Sequence, residues 1–202
     1  MNMKHLALTF CALVTALALT ACGSAPQSTA STASGADSAA VSASVSAPSA
    51  SQSEAAADDY HNYTFEFTVP EGFAEADAAA IGADELYQAE DGSNINVVIT
   101  ADDGSLASDV TQDMLVPVLE QAFTEQLGED ITLENVSFSN DDIAGCPAYR
   151  LSYTLNVSGL TMTQTVLGLN GDNIYTITFT DMTGSWADTF EQTIAGITAV
   201  PA

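Results

Sequence analysis

Positive charge is almost missing from this chain. Lys4 and Arg150 stand against 27 acids, for a formal net charge of −25 over 202 residues. That scarcity sets nucleic-acid binding aside, because neutralising phosphates takes clustered Lys or Arg. It disfavours nucleotides and other polyanions for the same reason. Direct docking to anionic lipid headgroups would be repulsive. Schiff-base chemistry has no lysine beyond Lys4 to work with. Histidine is nearly as scarce, with only His5 and His61. A Ser-His-Asp triad would have to use His61 as its base, and no G-x-S-x-G elbow accompanies it. Cysteine is limited to Cys11, Cys22 and Cys146.

The chain also lacks an apolar run long enough to span a bilayer, which takes about 20 residues. What it has instead is a shorter run from Leu6 to Leu19, broken by Thr9 and Thr15 and preceded by Lys4 and His5. That pattern reads as a secretory leader. It ends in Leu19-Thr20-Ala21-Cys22, which resembles the bacterial lipobox: a branched apolar residue, two small residues, then Cys. The resemblance implies cleavage between Ala21 and Cys22 and a thioether-linked diacylglycerol on Cys22. The two acyl chains of that diacylglycerol make the anchor stable, where one chain would be marginal at about 0.8 kcal/mol per buried CH₂. The expected location is the extracytoplasmic face of a bacterial cell membrane, held there by lipid. Cys11 leaves with the leader and Cys22 carries lipid, so the mature chain keeps Cys146 alone and has no internal disulfide.

Residues 23–57 are almost entirely Ser, Ala, Thr, Pro and Gly, without an aromatic side chain. Such a composition cannot bury enough surface to offset its ordering entropy. It is expected to be a tether. As a random coil, ~35 residues span on the order of 30 Å. The organisation is therefore a leader over 1–21, a lipidated Cys and tether over 22–59, and a domain over 60–202.

Aromatic and β-branched residues arrive together at Tyr60. The remaining length suits one domain with a real core. Tyr63 to Val69 alternates as a strand, and Pro70-Glu71-Gly72 ends it. Glu85–Ala89 and Asn94–Ala101 read as a hairpin. An apolar stripe of Val110, Met114, Leu115, Val118, Leu119, Ala122 and Phe123 predicts a helix capped by Ser108 and running to Leu127. Pro117 inside it predicts a kink or a late start. Alternation over Ile131–Phe138 changes phase between Leu133 and Val136, which predicts a bulge or two short pieces. Tyr149, Leu151, Tyr153, Leu155 and Val157 alternate without a break. Leu160–Leu169 and Tyr175–Phe179 follow, joined at Asn170-Gly171. A second helix carries Trp186, Phe190, Ile194 and Ile197 on one side. The expected class is α+β: an antiparallel sheet of about five to seven strands packed with two main helices.

Three stretches carry a further resemblance. They are Val69-Pro70-Glu71-Gly72-Phe73, the turn and strand Ile143-Ala144-Gly145 … Ala148-Tyr149-Arg150-Leu151, and Tyr175-Thr176-Ile177-Thr178-Phe179-Thr180 leading to Trp186 … Phe190. With them the domain resembles the PsbP-like fold group. That group includes lumenal photosystem proteins, many uncharacterised bacterial lipoproteins and a nuclear-import factor that binds a small GTPase. Its members share no catalytic residues, so the resemblance implies packing positions and a protein-binding role, not a reaction.

The candidate chemistry is correspondingly thin. No catalytic constellation, cofactor motif or metal site is expected. His61 with Asp58 and Asp59 is a poor ligand set. Asp91-Gly92-Ser93-Asn94 and Asp102-Asp103-Gly104 lack the spacing and distal Glu of a calcium loop and read as turns. Cys146 reads as a buried small apolar residue. Paired-carboxylate hydrolysis is marked by no particular acid. Thr161, Thr163, Thr165, Thr176, Thr178 and Thr180 fall on alternate positions of two adjoining strands. They are expected to line one sheet face near Ser152, Thr154 and Asn156, as a platform for an envelope protein or a glycan. The overall expectation is a non-enzymatic envelope-binding or scaffold lipoprotein, with a small-molecule or divalent-cation binder as the alternative.

Overall fold

The structure is a computed structural model that describes residues 60–127 and 131–202. The stretches expected to be leader and tether, with Ala21 and Cys22, lie outside the described residues, as does Gly128. Seven strands form one antiparallel sheet: β2 (Ala74–Glu75), β3 (Glu85–Gln88), β4 (Asn94–Thr100), β5 (Glu134–Ile143), β6 (Cys146–Val157), β7 (Leu160–Asn170) and β8 (Ile174–Asp181). Their order across the sheet is β2-β3-β4-β8-β7-β6-β5. β5 to β8 form a continuous meander, and β4 pairs with β8 to bring the earlier hairpin alongside.

The tight turns follow from left-handed backbone. Ala144 (φ 54°) and Gly145 (φ 81°) join β5 to β6, and Ser158 (φ 50°) and Gly159 (φ 82°) join β6 to β7. Two central residues with positive φ give the turn whose twist matches the flanking strands. The predicted bulge is present. The β5–β6 register shifts between Glu134 and Ser137, and Asn135 has a φ of 51°.

Each face of the sheet carries one helix. Helix α1 (Gln112–Leu127) buries Leu119 and Phe123 against Leu151, Tyr153, Leu155, Met162 and Val166. Helix α2 (Ala187–Ala195) buries Phe190 and Ile194 on the other face, against Ile95, Leu167, Ile177 and Phe179. Phe65, Phe67, Phe73 and Trp186 complete this second layer. Strict alternation along β6 and β7 makes both layers possible, because successive side chains point to opposite faces. Among the described residues no helix is long and apolar enough to cross a membrane.

Two sequence expectations change here. Ser108 does not cap α1. It lies in a 3₁₀ turn, Ala107–Asp109, and the helix begins at Gln112. Two asparagines hold that turn. Asn170 Oδ1 accepts from the Ala107 N–H at 2.6 Å, and its Nδ2 donates to the Ser105 carbonyl at 2.9 Å. Asn140 Nδ2 reaches the carbonyls of Ala107, Ser108 and Val110 at 3.0, 3.2 and 3.1 Å. Pro117 still lies inside the helix, past its first turn. The first strand is also shorter than its alternation suggests. β1 covers Tyr63–Glu66 and stands outside the main sheet, paired antiparallel with β9 (Thr198–Pro201).

Candidate functional site

The two threonine rows do not share a face. In the β7–β8 register Thr165 pairs with Phe179, Val166 with Thr178 and Gln164 with Thr180. Thr161, Thr163 and Thr165 therefore face the α2 side of the sheet, and Thr176, Thr178 and Thr180 face the α1 side. The reason is turn length. A two-residue Asn170-Gly171 loop would set the rows opposite one another, but Asn170 pairs with Ile174 across a three-residue loop. One residue of slip moves a whole row through the sheet.

The second row is consequently buried, with Thr176, Thr178 and Thr180 at 3%, 0% and 1% exposure. It belongs to a polar ladder beneath the surface. Tyr153 Oη donates to Gln164 Oε1 at 2.7 Å, and Gln164 Nε2 donates to Thr180 Oγ1 at 2.9 Å. Asn94 and Asn96 on β4 continue it opposite Thr180 and Thr178. Burial holds the Tyr153 phenol neutral, its pKa far above the ordinary value. These residues are internal structure and cannot serve as a surface platform.

The first row does form an open surface. Beyond the reach of α2, β6 and β7 present Ser152 opposite Thr165, Thr154 opposite Thr163 and Asn156 opposite Thr161. Thr161, Thr163 and Asn156 are exposed, and the other three are partly buried. The Ser152 and Thr165 hydroxyls lie 2.9 Å apart. Thr161 Oγ1 donates to Asn156 Oδ1 at 2.6 Å, and Asn156 Nδ2 donates to Glu134 Oε2 at 2.9 Å. Asn135 Nδ2 reaches Thr154 Oγ1 at 3.3 Å from the bulge. The result is a pre-set array of neutral hydrogen-bonding groups on rigid strands.

The other singled-out residues hold the fold. Cys146 is 2% exposed, and burial pushes its thiol up, helped by Asp142. His61 Nδ1 lies 3.1 Å from Asp102 Oδ2, at the start of the domain. Arg150 forms a fork with Glu191 on α2, one arm at 2.9 Å. Hydrogen bonding from that guanidinium lowers the Glu191 carboxyl pKa. Asp91, read from sequence only as a turn residue, does more. It accepts from the Ser93 N–H at 2.8 Å, Trp186 Nε1 at 2.8 Å and Thr183 Oγ1 at 3.1 Å. Partial burial raises its pKa, but these donors outweigh burial and the net shift is downward. Asp181 accepts from the N–H groups of Thr183, Gly184 and Trp186 at 3.0, 2.7 and 2.9 Å. Together the two acids fasten the entry to α2. Among the described residues no group of three His, Cys, Asp or Glu side chains converges as a metal centre would require.

This arrangement, a seven-strand antiparallel sheet with one helix on each face, is the PsbP-like α+β fold. Among solved structures the chain is similar to cyanobacterial PsbP (CyanoP) from Synechocystis sp. PCC 6803, with a TM-score of 0.53 and 17% identity over 71% of this chain and 90% of that one. It is also similar to LpqN, described as involved in cell envelope biogenesis of Mycobacterium tuberculosis, with a TM-score of 0.38 and 13% identity over 71% and 87% of the two chains. No protein-family model matches, and no curated protein matches in sequence.

Proposed function

We propose that this protein is a lipid-anchored module of the bacterial cell envelope that binds a partner and catalyses no reaction. The observation that carries the binding role is the open row of Ser152, Thr154, Asn156, Thr161, Thr163 and Thr165. These groups are exposed or partly so, already oriented by neighbours, and placed on the most regular strands of the sheet. An array fixed in advance loses little entropy when a ligand replaces its water. The anchor rests on Leu19-Thr20-Ala21-Cys22, with the lipid on Cys22 and cleavage after Ala21. A domain of this acidity needs a covalent lipid to stay at an anionic surface.

The two halves are tested separately. Fatty-acid labelling of cells is expected to mark the wild-type chain and leave Cys22→Ala unmarked; equal labelling ends the anchor reading. Sedimentation of the Cys22→Ala chain with isolated envelopes is expected to fall several-fold when Thr161 and Thr163 are both changed to Lys. Unchanged sedimentation of a folded variant ends the reading of this row as the binding surface.

A further inference from the structure

We infer that the outer edge of β5 is a docking site for an extended, basic segment of a partner polypeptide, added to the sheet as an eighth strand. The inference rests on the binding reading above and names the class of partner. The sheet has two edges. One is the two-residue β2; the other is β5, ten residues long. Among the described residues no further strand pairs with the outer side of β5, and no loop supplies a backbone hydrogen bond to it. An edge of that length normally needs protection, because its free N–H and C=O groups template another strand. Here the bulge at Asn135 disrupts only the first part. From Ser137 to Ile143 the pairing with β6 is regular, so that stretch presents an even edge.

The side chains along it define what would fit. On the α2 side β5 presents Ser137, Ser139 and Asp141, opposite Ser152, Arg150 and Ala148. On the α1 side it presents Phe138, Asn140 and Asp142, with Phe138 stacked on Tyr149 at 6.2 Å between ring centroids. An incoming strand would set alternate residues beside these two rows. Beside Phe138 an apolar residue gains contact; beside Asp141 and Asp142 a Lys or Arg does. Asp141 and Asp142 are exposed, and the only Lys or Arg within 60–202, Arg150, is already engaged by Glu191. Arg150 feels the charge of Asp141, but among the described residues no Lys or Arg forms an ion pair with either acid. A second copy of this chain would bring the same acids to the same edge, so charge favours a basic partner over self-pairing. Main-chain bonding supplies affinity and the alternate side chains supply selection, as in strand addition generally.

The test is hydrogen–deuterium exchange of the full chain with two short blocked peptides, one alternating Lys and Val, the other Glu and Val. The Lys–Val peptide is expected to slow exchange at alternate amides of Ser137–Ile143 by tenfold or more, with an affinity that falls as salt is raised. The Glu–Val peptide is expected to have no effect. Asp141→Lys with Asp142→Lys should weaken the Lys–Val effect at least tenfold, and Asp141→Asn with Asp142→Asn should do so if the first pair disturbs folding. Four results overturn the inference: no protection at millimolar peptide, protection centred elsewhere, equal protection by both peptides, or protection that rises with protein concentration alone. Envelope sedimentation that depends on Thr161 and Thr163 while β5 stays unprotected would defeat the edge and leave the binding reading standing.

Discussion

A β-carbon at Gly168 would sit 2.1 Å from Cε1 of Tyr149, whose buried phenol is pushed up to about 12 by desolvation. The ring packs against the glycine of the neighbouring strand and is itself buried. Gly168→Ala is expected to cost about 1–3 kcal/mol, in the range of overpacked cores, read as a lower urea midpoint with an unchanged slope. Asp91 answers to pH instead. Its pKa is lower in the folded chain than in the unfolded one, because Trp186, Ser93 and Thr183 donate to the ionised carboxylate. A lowered acid contributes stability above its unfolded value, about 3.9, and loses it as pH falls through the folded value. Asp91→Asn should therefore lower the melting temperature at pH 7, and the gap from wild type should close below about pH 4. A gap that persists in acid would mean that the carboxylate charge is not what matters.

At the level of elements, the two helices are held differently. Helix α2 has Asp91 and Asp181 at its entrance, Phe190 and Ile194 beneath it and the Arg150–Glu191 fork along its side. Helix α1 buries only Leu119 and Phe123 fully, and leaves Met114 and Val118 exposed. The fork contributes little, since Glu191 is largely exposed. Arg150→Met is expected to cost less than about 1 kcal/mol and to lose its effect in high salt. A larger cost would show that the Arg150 stem packs more tightly than its exposure implies. Element types were legible in the sequence because strand and helix periods are local. β6, β7 and the bulge in β5 stand where their patterns put them. Which face a row occupies is set by loop parity, and one extra residue after Asn170 sent three threonines into the interior. The α1 boundary was missed because Asn140 and Asn170, distant in sequence, hold Ser108 in a separate turn.

At the scale of the whole molecule, the PsbP-like class was legible from its turns and aromatic positions, and the partnership of β1 with β9 was not. Nothing local in Tyr63–Glu66 announces a mate at Thr198–Pro201. Only the folded chain brings them together, with the Ala202 N–H on the Asn62 carbonyl at 2.8 Å and the Asp172 N–H on the Tyr63 carbonyl at 2.8 Å.

That clasp gives the domain two poles. Residue 60 and residue 202 lie at one pole, beside the β7–β8 loop. The Ser158-Gly159 turn, with Asn156 and Thr161 next to it, lies at the far ends of the same antiparallel strands. The chain therefore enters the domain at one pole and carries the outer end of the polar row at the other. A bulky tag fused after Ala202 should leave envelope sedimentation intact, and the same tag inserted between Ser158 and Gly159 should abolish it. Equal loss from both positions would contradict this polarity. The clasp thus fixes where the chain enters and leaves the domain: both at the end of the sheet away from the Ser158-Gly159 turn.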